Sequence, residues 1–465
     1  MQAWLQTVTA NVIMRNMSFS YQFELEAQSL AGHPESGKVQ RILRAALEAA
    51  DPAQAVRQVV TRAGSLLQID NELYDLDEIQ HIYVLAFGKA APAMASALAP
   101  MLPEEVGSGL IVTKHIPSAV LPYPVLECGH PIPDDRSLAA GKAALEMLAN
   151  LGQDDLLICL ISGGGSALLT DPLSDVSLSD LQRLTEGLLG CGASINEINT
   201  LRRHFDRVKG GGLVKVAAPA RTVSLILSDV VGSPLEAIAS GPTAPDPTTR
   251  EDALGILDRY QAEIKIPLSV YEALRSASET LKANDPLFAG VQNVIIGSNL
   301  QSLQASFLQA MKEELNANIL TSSLEGEARQ AGVFFSSILR QMLETDQPIK
   351  RPACLVAGGE TTVVVKGKGL GGRNLELALG AVEGLAGLEN VMLLTMASDG
   401  EDGPTDAAGA VVTGESFARA RELGLSVRGY LENNDSYHFF NQLGDLLRTG
   451  PTGTNVNDLI LLFAF

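Results

Sequence analysis

The sequence predicts an α/β protein made of two α/β domains with mostly parallel sheets. Apolar runs rich in Val, Ile and Leu, from Ile82–Phe87 to Val391–Ala397, alternate with helical segments. This is the pattern of parallel strands buried on both faces. Several runs end directly in glycine or Ser-Asp turns, where open α/β sheets place their ligands. The length of 465 residues also exceeds one ordinary domain of about 100–200 residues.

Residues 1–37 are expected to be an extension, disordered or left by an upstream start codon, because Met14 and Met17 could each begin the chain. Residues 1–23 carry one arginine and no acid, a faint likeness to an organellar transit peptide. The stretch Gly32 to Lys38 nearly spells a P-loop. Val39 stands where Ser or Thr would hold Mg²⁺, however, and no strand precedes it. From Lys38, the spacing of Val39, Ile42, Leu43, Ala46 and Leu47 predicts a helix, and Asp51-Pro52 caps the next one.

A first domain is expected over 38–250. Its run Ile82–Phe87 leads into Gly88-Lys89 and a small-residue helix. A lysine opposes the dipole at a helix N-terminus, so an anion is expected beside Lys89. The run Gly109–Thr113 follows. In Gly129-His130-Pro131-Ile132-Pro133-Asp134, a rigid turn, Asp134 reads as an N-cap and His130 as a hydrogen-bonding turn residue. Leu156–Ile161 runs straight into Ser162, Gly163, Gly164, Gly165 and Ser166, a backbone cradle for an anion. Gly-x-Ser-x-Gly is absent there, so Ser166 is not read as a nucleophile. Arg202, Arg203, His204, Arg207, Lys209 and Lys215 gather positive charge with only Asp206 against them; Arg202 is the candidate ligand. Thr222–Leu227 ends in Ser228-Asp229.

The prolines at 242, 245 and 247 make 243–290 the expected boundary zone. A second domain over 285–465 then takes Val291–Ile296, Cys354–Ala357, Thr361–Lys366 and Val391–Ala397 as strands. Gly367, Gly369 and Gly372 formally match the dinucleotide fingerprint, which normally opens a first βαβ unit. Here it comes late, and Arg373 follows directly. Gly371, Gly372 and Arg373 therefore read as an anion site, since a guanidinium offers fixed donors to phosphate or carboxylate. Ser398-Asp399 echoes Ser228-Asp229, and two such strand ends suit a cleft between domains. Asp229, Asp399 and Asp402 are the carboxylates that could hold Mg²⁺ or orient a hydroxyl.

Composition narrows the function. Hydrophobic content of 46% with 19% charged residues supports a large core. A net charge of −20 argues against nucleic-acid or membrane partners. Cys128, Cys159, Cys191 and Cys354 are widely spaced and read as reduced residues of a cytoplasmic protein, not as disulfides or zinc ligands.

The chain resembles the class II glycerate kinases, glycerate 2-kinases whose C-terminal half is called the MOFRL domain. The resemblance rests on Ala86-Phe87-Gly88-Lys89-Ala90, Gly129-His130-Pro131, Ile161–Ala167, Glu197–His204, Lys209-Gly210-Gly211 and Ser228-Asp229-Val230. It continues through Ser240–Thr243, Gly297-Ser298-Asn299, Gly359–Thr362, Gly371–Asn374, Asp399–Asp406 and Thr449–Asn455. It implies a Rossmann-like N-terminal domain, a smaller MOFRL-type C-terminal domain and a site in the cleft. It further implies ATP-dependent phosphorylation of D-glycerate, usually on the 2-hydroxyl. The family's essential lysine and arginine fall on Lys89 and Arg373, and a functional aspartate on Asp229. The expected cofactors are ATP and Mg²⁺, with Asp229 and Asp399 as metal candidates. The expected state is a cytoplasmic monomer or homodimer. The alternatives are an NAD(P)H-dependent hydroxypyruvate reductase, which needs a nicotinamide site, and a kinase for another small hydroxy acid.

Overall fold

The computed structural model describes residues 27–103, 107–173 and 176–465. The expectations for residues 1–23 lie outside these. The rest of the expected extension is folded from Ala27 onward. Leu30 is fully buried, and Ser29 donates its N–H and Oγ–H to the Asp445 carboxylate at 2.8 and 2.9 Å. Helix Ser36–Ala49 buries Val39, Ile42, Leu43, Ala46 and Leu47, as their spacing requires. These side chains pack on Leu303, Ala310, Cys354, Val356 and Met392, which belong to the second domain. The expected start of the first domain at 38 is therefore displaced. From Ala27 the described chain packs on the second domain and crosses at Asp51, which caps helix Pro52–Val59 through the Gln54 N–H at 2.6 Å.

Strands β1 (Val60–Ala63), β2 (Leu66–Ile69) and β3 (Glu72–Asp75) form a small antiparallel sheet. The main sheet of the first domain contains β4 (Ile82–Phe87), β5 (Ser108–Thr113), β6 (Val125–Glu127), β7 (Leu156–Ile161), β8 (Arg221–Leu227) and β9 (Val291–Gly297). Their order is β6-β5-β4-β7-β8-β9 and every pair is parallel. Apolar clusters cover both faces, so β7 is buried at every residue. From β4 the chain builds one way to β5 and β6, and then the other way to β7, β8 and β9. The reversal lies between β4 and β7, and a crevice forms at such a switch point.

Two boundary expectations change. β9 was expected in the second domain but pairs with β8. The zone 243–290 is no linker: helices Arg250–Tyr260 and Leu268–Ser276 share an apolar cluster with Leu178–Gly190 and Ile195–Phe205, through Leu188, Leu201, Leu257 and Leu274.

The second sheet consists of β10 (Asn316–Leu324), β11 (Ala353–Gly359), β12 (Val391–Ala397), β13 (Gly409–Thr413), β14 (Leu446–Leu447) and β15 (Asp458–Ala464), in the order β10-β11-β15-β12-β13-β14. Only β10 and β11 are parallel; the remaining pairs are antiparallel. Mostly parallel strands therefore describe the first sheet and not the second. The cause is β15, the last strand of the chain, which inserts between β11 and β12 and pairs along its whole length with both. The expected strand Thr361–Lys366 is absent. Thr362 makes a single bridge to Glu327, and Val364 and Val365 are exposed, so no neighbouring strand holds this segment. All four cysteines are free thiols, three of them buried.

Candidate active site

Adjacent strands β4, β7 and β8 each end in a turn that carries candidate residues. Gly88 has φ +121°, and a Cβ there would stand 2.2 Å from Ser162 Oγ, so the turns after β4 and β7 touch. Ser162 Oγ accepts the Ala90 N–H at 3.0 Å. The Lys89 N–H donates to the Gly163 carbonyl at 2.9 Å. These bonds fix the backbone from which Lys89 projects. Its side chain is exposed and forms no ion pair among the described residues.

Gly163 lies against Asp229, the residue two beyond β8. A Cβ on Gly163 would meet Asp229 Oδ2 at 2.2 Å, and one on Gly164 would meet the His130 ring at 3.0 Å and Lys89 Cγ at 3.6 Å. Glycine is required at 163 by this close approach and at 164 by φ +85° as well. The N–H groups of Gly163 and Gly164 donate to no acceptor among the described residues. Two backbone donors, one ammonium and one carboxylate thus share a rim.

The electrostatics follow from burial and neighbours. Burial pushes Asp229 up to about 6; Lys89 opposes this and Glu360 adds to it. Burial and the charges of Lys89 and Lys114 hold His130 down at about 4, so its imidazole is neutral near pH 7. Glu360 belongs to the second domain, so a charge from that domain acts on Asp229.

Across the cleft, β11 ends at Gly359 in register with Asp458, the first residue of β15. Arg373 opens helix Arg373–Leu385. It donates from Nε to Asp458 Oδ2 at 2.7 Å and from Nη1 to Glu360 Oε1 at 2.5 Å. Burial works against its charge, yet the carboxylates of Asp458 and Glu360 outweigh that and raise its pKa. Burial pushes Asp458 up to about 7, with Arg373 pulling it down. Asn374 Nδ2 donates to Asp458 Oδ1 at 2.9 Å, so both carboxylate oxygens of Asp458 are occupied.

The remaining candidates sort by contact. Asp402 accepts the N–H groups of Asn374 and Leu375 at 3.0 and 2.8 Å. It stands at the positive end of this helix. Asp399 accepts the Glu401 N–H at 3.2 Å within its own turn. Gly165 packs on Ala239 and Phe87, and Ser166 Oγ lies 2.8 Å from Ser240 Oγ. Arg202 bonds Asn199 Oδ1 at 3.3 Å and lines a cavity beyond Ser166. Gly371 and Gly372 are fitted against Ser436 and Asp402.

The loop 367–372 is largely filled by protein. The N–H groups of Gly367, Lys368, Gly369 and Leu370 go to Asn434, Asn433 and Asp435. A strand does not lead into the loop, so the formal dinucleotide fingerprint opens no βαβ unit. Sequence reasoning left Glu360 and Asp458 out of the candidate set. Asp458 precedes the apolar run Leu459–Ala464, and reading that run as a strand would have placed it at a strand end.

Among the described residues no three of His, Cys, Asp and Glu converge as metal ligands. Mg²⁺ usually takes one or two carboxylates plus phosphate oxygens and water, a donor set that Asp229 fits.

Comparison with known proteins fixes the family. Residues 38–275 match a domain of unknown function, DUF4147, and residues 353–458 match the MOFRL family. The chain is 41% identical to the D-glycerate 2-kinase of Thermotoga maritima over 90% of this chain and 96% of that protein. It is 43% identical to the glycerate 2-kinase of Pyrococcus horikoshii over 90% and 95% of the two chains. The chain belongs to the MOFRL glycerate 2-kinase family. The crystal structure of glycerate kinase from Thermotoga maritima superposes with a TM-score of 0.83, at 41% identity, covering 93% of this chain and 100% of that one. The two-domain α/β architecture of this MOFRL-family member is therefore that of a glycerate kinase.

Proposed function

We propose that the protein transfers the γ-phosphoryl group of ATP to the 2-hydroxyl of D-glycerate, giving 2-phospho-D-glycerate and ADP. The observation that supports this reading is the rim formed by Lys89, the Gly163–Gly164 amides and Asp229, on which the charge of Glu360, the partner of Arg373, also acts. Phosphoryl transfer asks a protein mainly to align donor and acceptor and to neutralise charge. In this assignment the γ-phosphoryl oxygens meet Lys89 and the free glycine N–H groups, and Arg373 meets the glycerate carboxylate. Asp229 takes the hydroxyl proton as the hydroxyl oxygen bonds to phosphorus and the bond to the β-phosphate oxygen breaks. A carboxylate held near pKa 6 is ionised at neutral pH and still basic enough for that role. Mg²⁺, when bound with the nucleotide, would be held mainly by phosphate oxygens and would supply further charge neutralisation, which leaves Asp229 to the hydroxyl. Free thiols support a cytoplasmic setting; no helix among the described residues is long and apolar enough to cross a membrane.

The test is to incubate the protein with MgCl₂, ATP and D-glycerate and follow phosphorus NMR. A phosphomonoester coupled to one carbon-bound proton is expected, the mark of the 2-phosphate. Coupling to two protons would move the transfer to the 3-hydroxyl. No phosphomonoester from a folded protein would end the glycerate assignment.

A further inference from the structure

Beside the glycine loop lies a cavity of about 330 Å³, walled chiefly by helices Leu178–Gly190 and Ile195–Phe205. Leu184, Leu188, Leu201 and Phe205 supply apolar walls, and Ser166 and Arg202 stand at its polar side. The other cation in the wall, Lys209, is buried, paired with Asp206, and donates a hydrogen bond to Thr170 Oγ1 at 3.1 Å. Arg202 has no carboxylate partner among the described residues; its one hydrogen bond is to the neutral Asn199 side chain. A half-buried guanidinium without a counter-ion, whose charge burial disfavours, leaves an anion unaccounted for.

Two reactants must be placed, and they differ in chemistry. D-Glycerate has three carbons, a carboxylate and two hydroxyls, and offers almost nothing to a leucine and phenylalanine wall. A purine ring is flat and largely apolar on its faces, and sites of this volume and lining suit such groups. Ser166 borders the cavity only two residues from Gly164, whose N–H is free, so the cavity opens beside the amides assigned to phosphate. Arg202 lies along that side, where a negatively charged phosphate would pass.

We propose that this cavity holds the adenine base of the nucleotide, with Arg202 meeting the phosphate nearest the ribose. The inference rests on the kinase reading for the identity of the ligand, but not on which hydroxy acid is phosphorylated. The cavity then acts as the nucleotide-selectivity site, and the cleft between Asp229 and Arg373 is left to the small acid.

The test compares ADP with inorganic pyrophosphate, which carries the diphosphate but no base, by calorimetry on the full chain with MgCl₂. Wild type should bind ADP at least about tenfold more tightly, since one tenfold step needs only a small fraction of the burial a base provides. Thr185→Trp, on the cavity wall and half-buried, should fill the space. It should remove that advantage while pyrophosphate affinity stays within about twofold. Leu181→Trp, another wall position, repeats the test should Thr185→Trp fail to fold. Equal affinity for ADP and pyrophosphate in wild type would overturn the proposal. So would a folded variant that keeps the ADP preference, or that loses both ligands equally. If D-glycerate is not phosphorylated but the ADP preference and its loss are seen, the substrate assignment falls and the cavity assignment stands.

Discussion

Asp229 rests directly on Gly163: a single added carbon at residue 163 would come within 2.2 Å of the carboxylate oxygen. The two residues close adjacent strands β7 and β8, so the glycine loop sets where the carboxylate stands. Gly163→Ala should therefore push Asp229 aside without disturbing the sheet. The expected result is a fall in kcat of about 10²-fold, the scale of misplacing a reacting group by about 1 Å, with the melting temperature changed by only a few degrees. Normal turnover in the variant would separate the two residues functionally.

Arg373 is held by two carboxylates, and its replacement removes one preorganised charge. Arg373→Ala should lower the rate by about 10²–10⁴-fold, measured by coupled ADP release. Asp458→Asn keeps the shape but removes the stronger anchor, and should raise KM for the acid with a smaller loss of kcat. Near-normal turnover in Arg373→Ala would refute its role.

The pKa of about 6 at Asp229 sets the acid limb of activity. Only the ionised form accepts a proton, so kcat/KM should fall about tenfold per pH unit below about pH 6. Glu360 contributes to raising that pKa; Glu360→Gln should move the limb to lower pH. A limb unmoved in Glu360→Gln would mean another group titrates there.

The same shift has a stability consequence. Asp229 binds its proton more tightly in the folded chain than in the unfolded one, so its contribution to stability declines as pH rises from about 4 to about 6 and is level above. Asp229→Asn should remove that cost and stabilise the protein at pH 7 by about 1–2 kcal/mol, discounted for partial exposure, while abolishing turnover. Urea titrations at pH 4 and pH 7 give the comparison: the gain should be confined to pH 7.

Helix Ser36–Ala49 is part of the second domain's core. Ile42→Ala should cost about 2–5 kcal/mol in denaturant unfolding, as expected for a buried large-to-small change. A loss below 1 kcal/mol would mean the helix packs loosely on the sheet.

Much of this molecule was legible in the sequence because local rules govern it. Short continuous apolar runs bounded by turn residues mark buried strands, so β4, β7, β8, β11 and β12 were visible. Lys89, Ser162–Ser166 and Asp229 stood out because they follow such strands, and strand ends face ligands. Asp51 and Asp134 announced themselves as caps because a short acceptor before a helix satisfies its free N–H groups. Other features depend on what a segment meets. Helix Ser36–Ala49 shows its apolar face in the sequence, but nothing local says that this face covers the second sheet. Residues Thr361–Lys366 have the composition of a strand and find no partner. Loop 367–372 has the glycines of a ligand site, which Asn433, Asn434 and Asp435 fill from elsewhere in the chain. Above all, the last strand enters the middle of its sheet and brings Asp458 to Arg373, two residues far apart in sequence. Periodicity and glycine geometry mark which segments could be strands, helices and anion-binding turns. Tertiary structure alone decided which segments pair, and therefore which carboxylates hold the arginine opposite Asp229.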